Sequence, residues 1–200
     1  MLFSPAMRRI VVGISGASGA VYGVGLLREL RAVADVETHL IVSSAGYLNL
    51  ATETGMSRQD LHALADVVHA DRDIGATIAS GSFATDAMVI APCSMRTLAA
   101  VATGLSGTLL TRAADVTLKE RRRLVVVPRE APLSLVHLRN MVTVTEMGGI
   151  VFPPVPAFYA GLESIDEMVG QTVARLLDLI GVATAGLRRW PGVRGDDVGR

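Results

Sequence analysis

Short apolar runs rich in β-branched residues alternate with longer amphipathic stretches along this chain, and this alternation restricts its fold more than any other feature. The runs predict five strands, over residues 10–14, 36–42, 87–91, 124–127 and 150–152. Strands that are apolar on both faces are typical of a parallel sheet that is covered on both sides. The pattern therefore predicts an α/β fold with a mostly parallel sheet and helices on both faces.

The stretches between the strands predict the helices that cover the sheet. They lie over residues 19–33, 44–54, 57–65, 95–103, 107–121, 133–147 and 163–181. The chain shows no internal repeat and no low-complexity linker, so we expect one domain over residues 1–190. Residues 191–200 are polar and rich in glycine, which predicts a mobile C-terminal tail.

Composition excludes several classes of protein. Half of the residues are hydrophobic and the mean hydropathy is +0.43, yet no run reaches the roughly 18 apolar residues of a membrane span. We therefore expect no membrane span, and apolar surface buried between the subunits of a homo-oligomer. A net charge of zero argues against a nucleic-acid partner. The apolar run after Arg9 is too short for a signal peptide, which predicts a cytoplasmic protein.

Cysteine and histidine offer no basis for a metal centre. Cys93 is the single cysteine, and the four histidines show no ligand spacing, so we expect no catalytic metal. Cys93 follows a strand and has no basic neighbour in sequence. It is therefore interpreted as a small buried hydrophobe rather than as a nucleophile.

The ends of the predicted strands carry the polar residues that interest us, because open α/β sheets bind ligands at the carboxyl ends of their strands. The first strand leads into GISGASGA, where small residues and a following helix N-terminus suit either a tight turn or a phosphate. Ser18 is a candidate cap for that helix, as are Ser43, Ser94 and Thr97 for later ones. Glu53, taken alone, is a solvated carboxylate.

Cations and aromatic residues complete the candidate site. Arg112 and Lys119 are two helical turns apart, and Lys119 is the only lysine among 19 basic residues. Two prolines bracket Arg129 and Glu130, which suit a phosphate and a proton transfer. These residues predict one crevice that holds Arg112, Lys119, Arg129 and Arg175 and binds a phosphorylated small molecule; they leave its reaction open.

An ordered set of motifs resembles the UbiX family of flavin prenyltransferases over about residues 9–190. The motifs are GISGASGAVYG, ATET, SGSF, APCSMRTL, TRAADVTLKERR, VPREAPL and PPVPAFY. The resemblance implies a doubly wound sheet of the Rossmann or flavodoxin type and a homo-oligomer, typically a dodecamer. It also implies that some site residues come from a neighbouring subunit.

The resemblance assigns roles to residues that match the motifs. The residues matching FMN contacts are Gly16, Ala17, Ser18, Ser43, Ser94, Met95, Arg96, Thr97 and Arg129. Those matching groups that hold the prenyl phosphate or cover the prenyl chain are Arg112, Lys119, Tyr159, Arg175 and Trp190. Those matching catalytic groups are Ser18, Glu53 and Glu130. Met95 and Arg96 occupy variable places of the pattern.

The implied reaction is metal-independent and joins a dimethylallyl group from dimethylallyl phosphate to N5 and C6 of reduced FMN. The resulting prenylated FMN would serve a UbiD-type decarboxylase. One alternative is a flavoprotein decarboxylase of the cysteine-peptide or phosphopantothenoylcysteine type, whose substrate segment resembles PxMNxxMW where this chain has PREAPL. Another alternative is a flavin-binding partner protein without chemistry of its own.

Overall fold

A computed structural model describes residues 7–192 of the chain. Its strands are β1 (Arg8–Ile14), β2 (Val36–Val42), β3 (Val67–Ala70), β4 (Ala87–Cys93), β5 (Arg123–Pro128) and β6 (Ile150–Val151). Its α-helices are α1 (Ala20–Arg31), α2 (Ser44–Thr54), α3 (Arg58–His62), α4 (Met95–Thr103), α5 (Leu109–Lys119), α6 (Leu135–Glu146) and α7 (Ile165–Leu179). Short 3₁₀ turns lie over Thr77–Ala79 and Phe158–Ala160.

The six strands form one parallel sheet in the order β3-β2-β1-β4-β5-β6. This is the strand order of a Rossmann-type doubly wound sheet, so the predicted fold class is confirmed. The five predicted strands and seven predicted helices are present, with ends shifted by at most a few residues. Strand β3 was not predicted, because VVHA lies at the edge of the sheet and alternates between partly buried and exposed residues.

Helices pack on both faces of the sheet and enclose two hydrophobic cores. Alternate residues of each central strand point to opposite faces: Val12 belongs to one core and Val11 to the other. Apolar residues of α1, α2, α3 and α7 fill the first core, and those of α4, α5 and α6 fill the second. Since β1 continues into α1 on one face and β4 into α4 on the other, the loops diverge between these two strands. A crevice at this place is where open α/β sheets bind ligands.

Two other sequence predictions concern the C-terminal tail and membrane-spanning helices. Residues 193–200 of the predicted mobile tail lie outside the described residues. Within residues 7–192, no helix combines the length and the apolar composition needed to cross a membrane.

A pair of histidines lies on the neighbouring strands β2 and β3, toward one edge of the sheet. His39 is almost fully buried; its Nε2 is 2.8 Å from Glu37 Oε1 and its Nδ1 is 3.0 Å from His69 Nε2. Arg9 donates to the same Glu37 oxygen at 3.0 Å. A hydrogen bond between His39 Nδ1 and His69 Nε2 needs a proton on one of these two nitrogens. Protons on both nitrogens would point at each other. Burial, and then the neighbouring His39, lower the pKa of His69, while the Asp73 carboxylate opposes the shift.

The lowered pKa of His69 predicts acid sensitivity. Below about pH 6.5 an unfolded histidine binds a proton that folded His69 does not, so the unfolding temperature falls as the pH drops through this range. We expect a smaller loss between pH 7.5 and pH 5.5 in His69→Gln than in the unmutated protein, measured by thermal unfolding. His137→Gln is the control, since glutamine preserves its capping box with Ser134. An unchanged loss in His69→Gln would contradict the assignment.

Candidate active site

Hydrogen bonds join four loops into a row along the carboxyl edge of the sheet. The Ser43 N–H donates to Ile14 O at 3.0 Å, which ties the loop after β2 to the end of β1. The Ser15 N–H donates to Pro92 O at 3.1 Å, and the Arg129 N–H donates to Cys93 O at 3.3 Å. The row therefore brings together residues that are far apart in sequence, as their positions at strand ends predicted.

The loop after β1, residues 15–19, is packed tightly against the start of α2. A Cβ atom on Gly16 would lie 2.3 Å from Ala45 Cβ, and one on Gly46 would lie 2.6 Å from Ile14 O. Contacts this short do not occur between such atoms, so both positions need glycine with the backbone where it is. Gly16 and Gly46 therefore set how closely α2 approaches the first loop and the end of β1.

Glu53 caps helix α1 from the last turn of α2. Its Oε2 accepts hydrogen bonds from the N–H groups of Gly19 and Ala20, both at 2.9 Å. Gly19 is the N-cap residue and adopts the left-handed conformation, with φ at 109°. The prediction of Ser18 as N-cap is therefore wrong, because Gly19 holds that position. The N–H groups at this helix end are also less open to a phosphate than the sequence suggested, because a carboxylate already binds two of them.

Helix α4 presents an open N-terminus to the same crevice. Ser94 is its N-cap, as predicted, and Ser94 Oγ accepts from the Thr97 N–H at 3.2 Å. Met95 and Arg96 form the first turn, where N–H groups have no partner within the helix. Ser43 caps α2 in the same way, accepting from the Gly46 N–H at 3.0 Å. Since Glu53 already binds two N–H groups of α1, the starts of α2 and α4 remain as anion sites among these loops.

Two further residues at the crevice were not singled out from the sequence. The Ser15 side chain is buried and bonds to both Pro92 and Ser94. Tyr22 lies on α1 close to Gly19, since a Cβ atom added to Gly19 would be 3.0 Å from the Tyr22 ring. Burial raises the pKa of Tyr22, and the positive charge of Arg129 opposes that shift. A serine ending an apolar strand was the available signal for Ser15.

Cys93 is fully buried at the end of β4, and burial raises the pKa of its thiol to about 12. A thiol with so high a pKa is not ionised near neutral pH and is a poor nucleophile. The interpretation of Cys93 as a small buried hydrophobe is confirmed.

Arg129 and Glu130 follow β5 and are exposed at the carboxyl edge. Glu130 Oε1 accepts a hydrogen bond from the Ala131 N–H at 3.1 Å, which orients the carboxylate within its own loop. Both side chains are thus available to a molecule in the crevice. Ser18, also exposed, extends from the neighbouring loop after β1.

Arg112 and Lys119 share one side of α5, as predicted, but they do not reach the crevice together. Arg112 Nε donates to Ala79 O at 3.1 Å, and its Nη1 lies 2.6 Å from Asp115 Oδ2. Lys119 ends α5 next to the start of β5 and pairs with the Glu120 carboxylate. This is the amino edge of the sheet, and strands of seven residues separate it from the carboxyl edge by roughly 20 Å.

Arg175 is also directed away from the crevice. It is exposed on α7 and pairs with the Asp178 carboxylate, which Arg189 contacts as well. The end of α7 lies at the amino edge, because Arg8 at the start of β1 donates to the carbonyl groups of Ile180 and Gly181. Within one chain, therefore, Lys119 and Arg175 lie away from the crevice in which the sequence predicts them, and the resemblance allows such residues to come from a neighbouring subunit. Helix α5 returns to the start of β5 and therefore ends at the amino edge, which is why Lys119 lies far from the carboxyl ends of the strands.

Tyr159 and Trp190 lie together outside the sheet. Their rings meet edge to face with centroids 5.5 Å apart, although both side chains are more than half exposed. Arg188 supports this pair, because its guanidinium donates to Ala160 O at 2.9 Å. Two residues assigned to the prenyl group thus form one aromatic surface.

Known proteins are similar to this chain over nearly its whole length. A family model described as Flavoprotein matches residues 4–177. The flavin prenyltransferase UbiX of Neisseria meningitidis serogroup B is 57% identical over 187 residues, which are 94% of this chain and 98% of that protein. This chain belongs to the UbiX family of flavin prenyltransferases.

Two solved UbiX structures share the fold closely. AnUbiX (PadA1), in complex with FMN and dimethylallyl pyrophosphate, is 49% identical with a TM-score of 0.91, over 94% of this chain and 99% of that one. A dodecameric FMN-dependent UbiX-like decarboxylase from Escherichia coli O157:H7 is also 49% identical, with a TM-score of 0.90 over 92% of this chain and 100% of that one. At this similarity the chain shares its overall backbone fold with these two structures.

Proposed function

We propose that this protein is a flavin prenyltransferase that joins the dimethylallyl group of dimethylallyl phosphate to N5 and C6 of reduced FMN. The observation that carries the proposal is the crevice between β1 and β4. There the open start of α4, the glycine loop 15–19 and the Arg129–Glu130 pair come together in a chain 57% identical to a flavin prenyltransferase. The same crevice supports a specific placement for each substrate.

The residues of the crevice fit FMN. Its phosphate would bind at the start of α4, where Met95 and Arg96 offer N–H groups, Ser94 and Thr97 offer hydroxyl groups, and the helix dipole favours an anion. Glu53 leaves α1 less suited to this phosphate. Gly16, Ala17 and Ser43 would line the flavin, since the loop 15–19 has no bulky side chain to keep a planar ring at a distance.

Prenyl transfer to N5 and C6 breaks the bond between the first prenyl carbon and oxygen, whose electron pair leaves with the phosphate. The protons on N5 and C6 are lost, and one proton adds to the second prenyl carbon, which opens the double bond so that the third carbon can bond to C6. Arg129 is placed to stabilise negative charge on a leaving phosphate, and the Ser18 hydroxyl can donate a hydrogen bond to it. The Glu130 carboxylate can accept the C6 proton, as can the released phosphate. Glu53 holds the loop that carries Ser18. Reduced FMN supplies the nucleophilic N5 and C6 positions when bound.

The remaining cations fit a site completed by a second copy of the chain. Arg112, Lys119 and Arg175 lie on the outer surface of α5 and α7, and the latter two are far from their own crevice. Large apolar side chains are exposed as well, including Leu135 on α6, Phe158 and Trp190. Together with the dodecameric E. coli relative, they support a homo-oligomer, which we propose is a dodecamer in which neighbouring subunits supply cations and Tyr159 or Trp190 to each site.

A shared site predicts complementation between inactive subunits. We expect Glu130→Gln and Lys119→Met each to lower turnover at least about 100-fold when expressed alone. Co-expressed with different tags and purified as mixed oligomers, they should recover part of the activity, because some sites then receive both native residues. Mixed oligomers no more active than the separate variants would contradict the assignment of Lys119 to a neighbouring crevice. Mixed oligomers of two Glu130→Gln chains are the control.

Release of inorganic phosphate tests the proposed function. We expect the protein to release phosphate from dimethylallyl phosphate only when reduced FMN is present, and without added metal. Phosphate release without flavin, or none with it, would contradict prenyl transfer. The E. coli structure bears the name of a decarboxylase, which makes direct decarboxylation the second candidate. That candidate predicts carbon dioxide release from an aromatic acid with FMN alone.

Several wider assignments belong to the same proposal. Prenylated FMN would pass to a UbiD-type decarboxylase in the cytoplasm, and residues 1–190 would act as one flavoprotein domain. We propose that the reaction needs no metal ion, since the leaving group and the proton both find protein partners in the crevice. Among the described residues 7–192, no cluster of three or more histidine, cysteine or acidic side chains is placed to bind a metal ion.

A further inference from the structure

The Ser15 hydroxyl connects the loop after β1 with the loop after β4. These two loops lead to helices on opposite faces of the sheet. Ser15 Oγ accepts a hydrogen bond from the Ser94 N–H at 2.7 Å and donates one to Pro92 O at 3.0 Å. Its side chain is therefore bonded on both sides of the bend that leads from β4 into α4. Ser15 itself is 1% exposed, so water cannot replace these bonds easily.

The position of this contact explains why a side chain is needed. The other links in the row of loops, from Ser43 to Ile14 and from Arg129 to Cys93, join backbone groups alone. Between β1 and β4 the chain leaves the sheet toward opposite faces, so the backbones separate just beyond the Ser15 to Pro92 hydrogen bond. The hydroxyl extends the connection as far as the N-cap residue of α4.

We infer that Ser15 is a positioning residue that fixes the start of α4 against the glycine loop, and so sets the distance between the two parts of the FMN site. This inference rests on the proposed function, because it concerns the crevice to which we assign FMN. Ser15 does not itself face the flavin, since its hydroxyl is buried and both of its bonds are made within the protein. It acts on FMN through Ser94, the residue that caps α4.

The inference predicts a loss of FMN affinity that exceeds any general loss of stability. Ser15→Ala removes only an oxygen atom, but it leaves the Ser94 N–H without its acceptor and Pro92 O with the Ser15 N–H as its remaining donor. We expect Ser15→Ala to raise the Kd for oxidised FMN at least about tenfold, measured by quenching of flavin fluorescence. The KM for dimethylallyl phosphate, assayed at saturating reduced FMN, should change less than about threefold.

Thr117→Val is the matched control, because it also removes one buried hydroxyl, whose bond to Ala113 O lies within α5. We expect it to lower the unfolding temperature to a similar extent and to leave the Kd for FMN unchanged. A native Kd in Ser15→Ala, or an equal rise in both variants, would overturn the role of Ser15. If the unmutated protein does not bind FMN, the proposed function fails first; if it binds FMN and Ser15→Ala binds equally well, only this inference fails.

Discussion

Glu130→Gln should lower the rate of prenylated flavin formation by about 100-fold or more while FMN still binds. Glutamine has the size of glutamate and can accept the same hydrogen bond from the Ala131 N–H, so the loop should keep its shape. It cannot take up a proton, and general base catalysis by a carboxylate contributes about 100- to 10,000-fold in rate. Single-turnover assays with reduced FMN and dimethylallyl phosphate, followed by chromatography of the flavin, measure this loss.

Glu146→Gln provides the comparison for this variant. Glu146 is an exposed carboxylate at the end of α6, at the amino edge of the sheet. We expect it to have native turnover, since its loss changes the net charge equally but leaves the crevice intact. Native turnover in Glu130→Gln would remove Glu130 from the mechanism and leave the released phosphate as the base. Failure of Glu130→Gln to bind FMN would assign the residue to binding instead.

Gly16→Ala should abolish tight FMN binding, which is the second large effect that we expect. The new methyl group would lie 2.3 Å from Ala45 Cβ, so the loop 15–19 or the start of α2 must move. Overpacking of this kind costs about 1–3 kcal/mol where backbone must shift, and here the shift falls on the loop that lines the flavin. Titration of the variant with FMN should show a Kd at least about tenfold higher.

A second substitution separates the clash from any other effect of the new methyl group. Ala45→Gly removes the atom that the Gly16→Ala methyl group would meet, and position 45 lies in the first turn of α2. We expect the double variant to recover most of the FMN affinity, and Ala45→Gly alone to bind normally. If the double variant binds as poorly as Gly16→Ala, then the close approach to α2 is not what position 16 provides.

The sequence predicted those parts of the fold that depend on local pattern. Apolar β-branched runs located β1, β2, β4, β5 and β6, and Ser43 and Ser94 were recognised as helix caps from type and position alone. The edge strand β3 was not predicted, because its pairing with β2, rather than its own composition, makes it a strand. The local sequence pattern therefore predicts a strand correctly where both faces of that strand are buried and its residues must be apolar.

The site was predictable only where it depends on strand ends. Arg129 follows a strand directly, and its place at the carboxyl edge follows from the topology. Lys119 and Arg175 lie on the helices α5 and α7, whose packing on the sheet decides which edge each residue reaches. Glu53 and its contact with Gly19 join residues 34 apart, and no periodicity within either helix indicates such a contact. Contacts between segments far apart in sequence therefore determine the positions of the site residues that local pattern did not predict.

The mass of the flavin after reaction tests the central claim most directly. Purified protein, incubated without oxygen with reduced FMN and dimethylallyl phosphate, should yield a flavin heavier by one five-carbon prenyl unit, as measured by mass spectrometry of the released flavin. Protein that is shown to bind FMN but returns it with unchanged mass would contradict the proposed prenyl transfer.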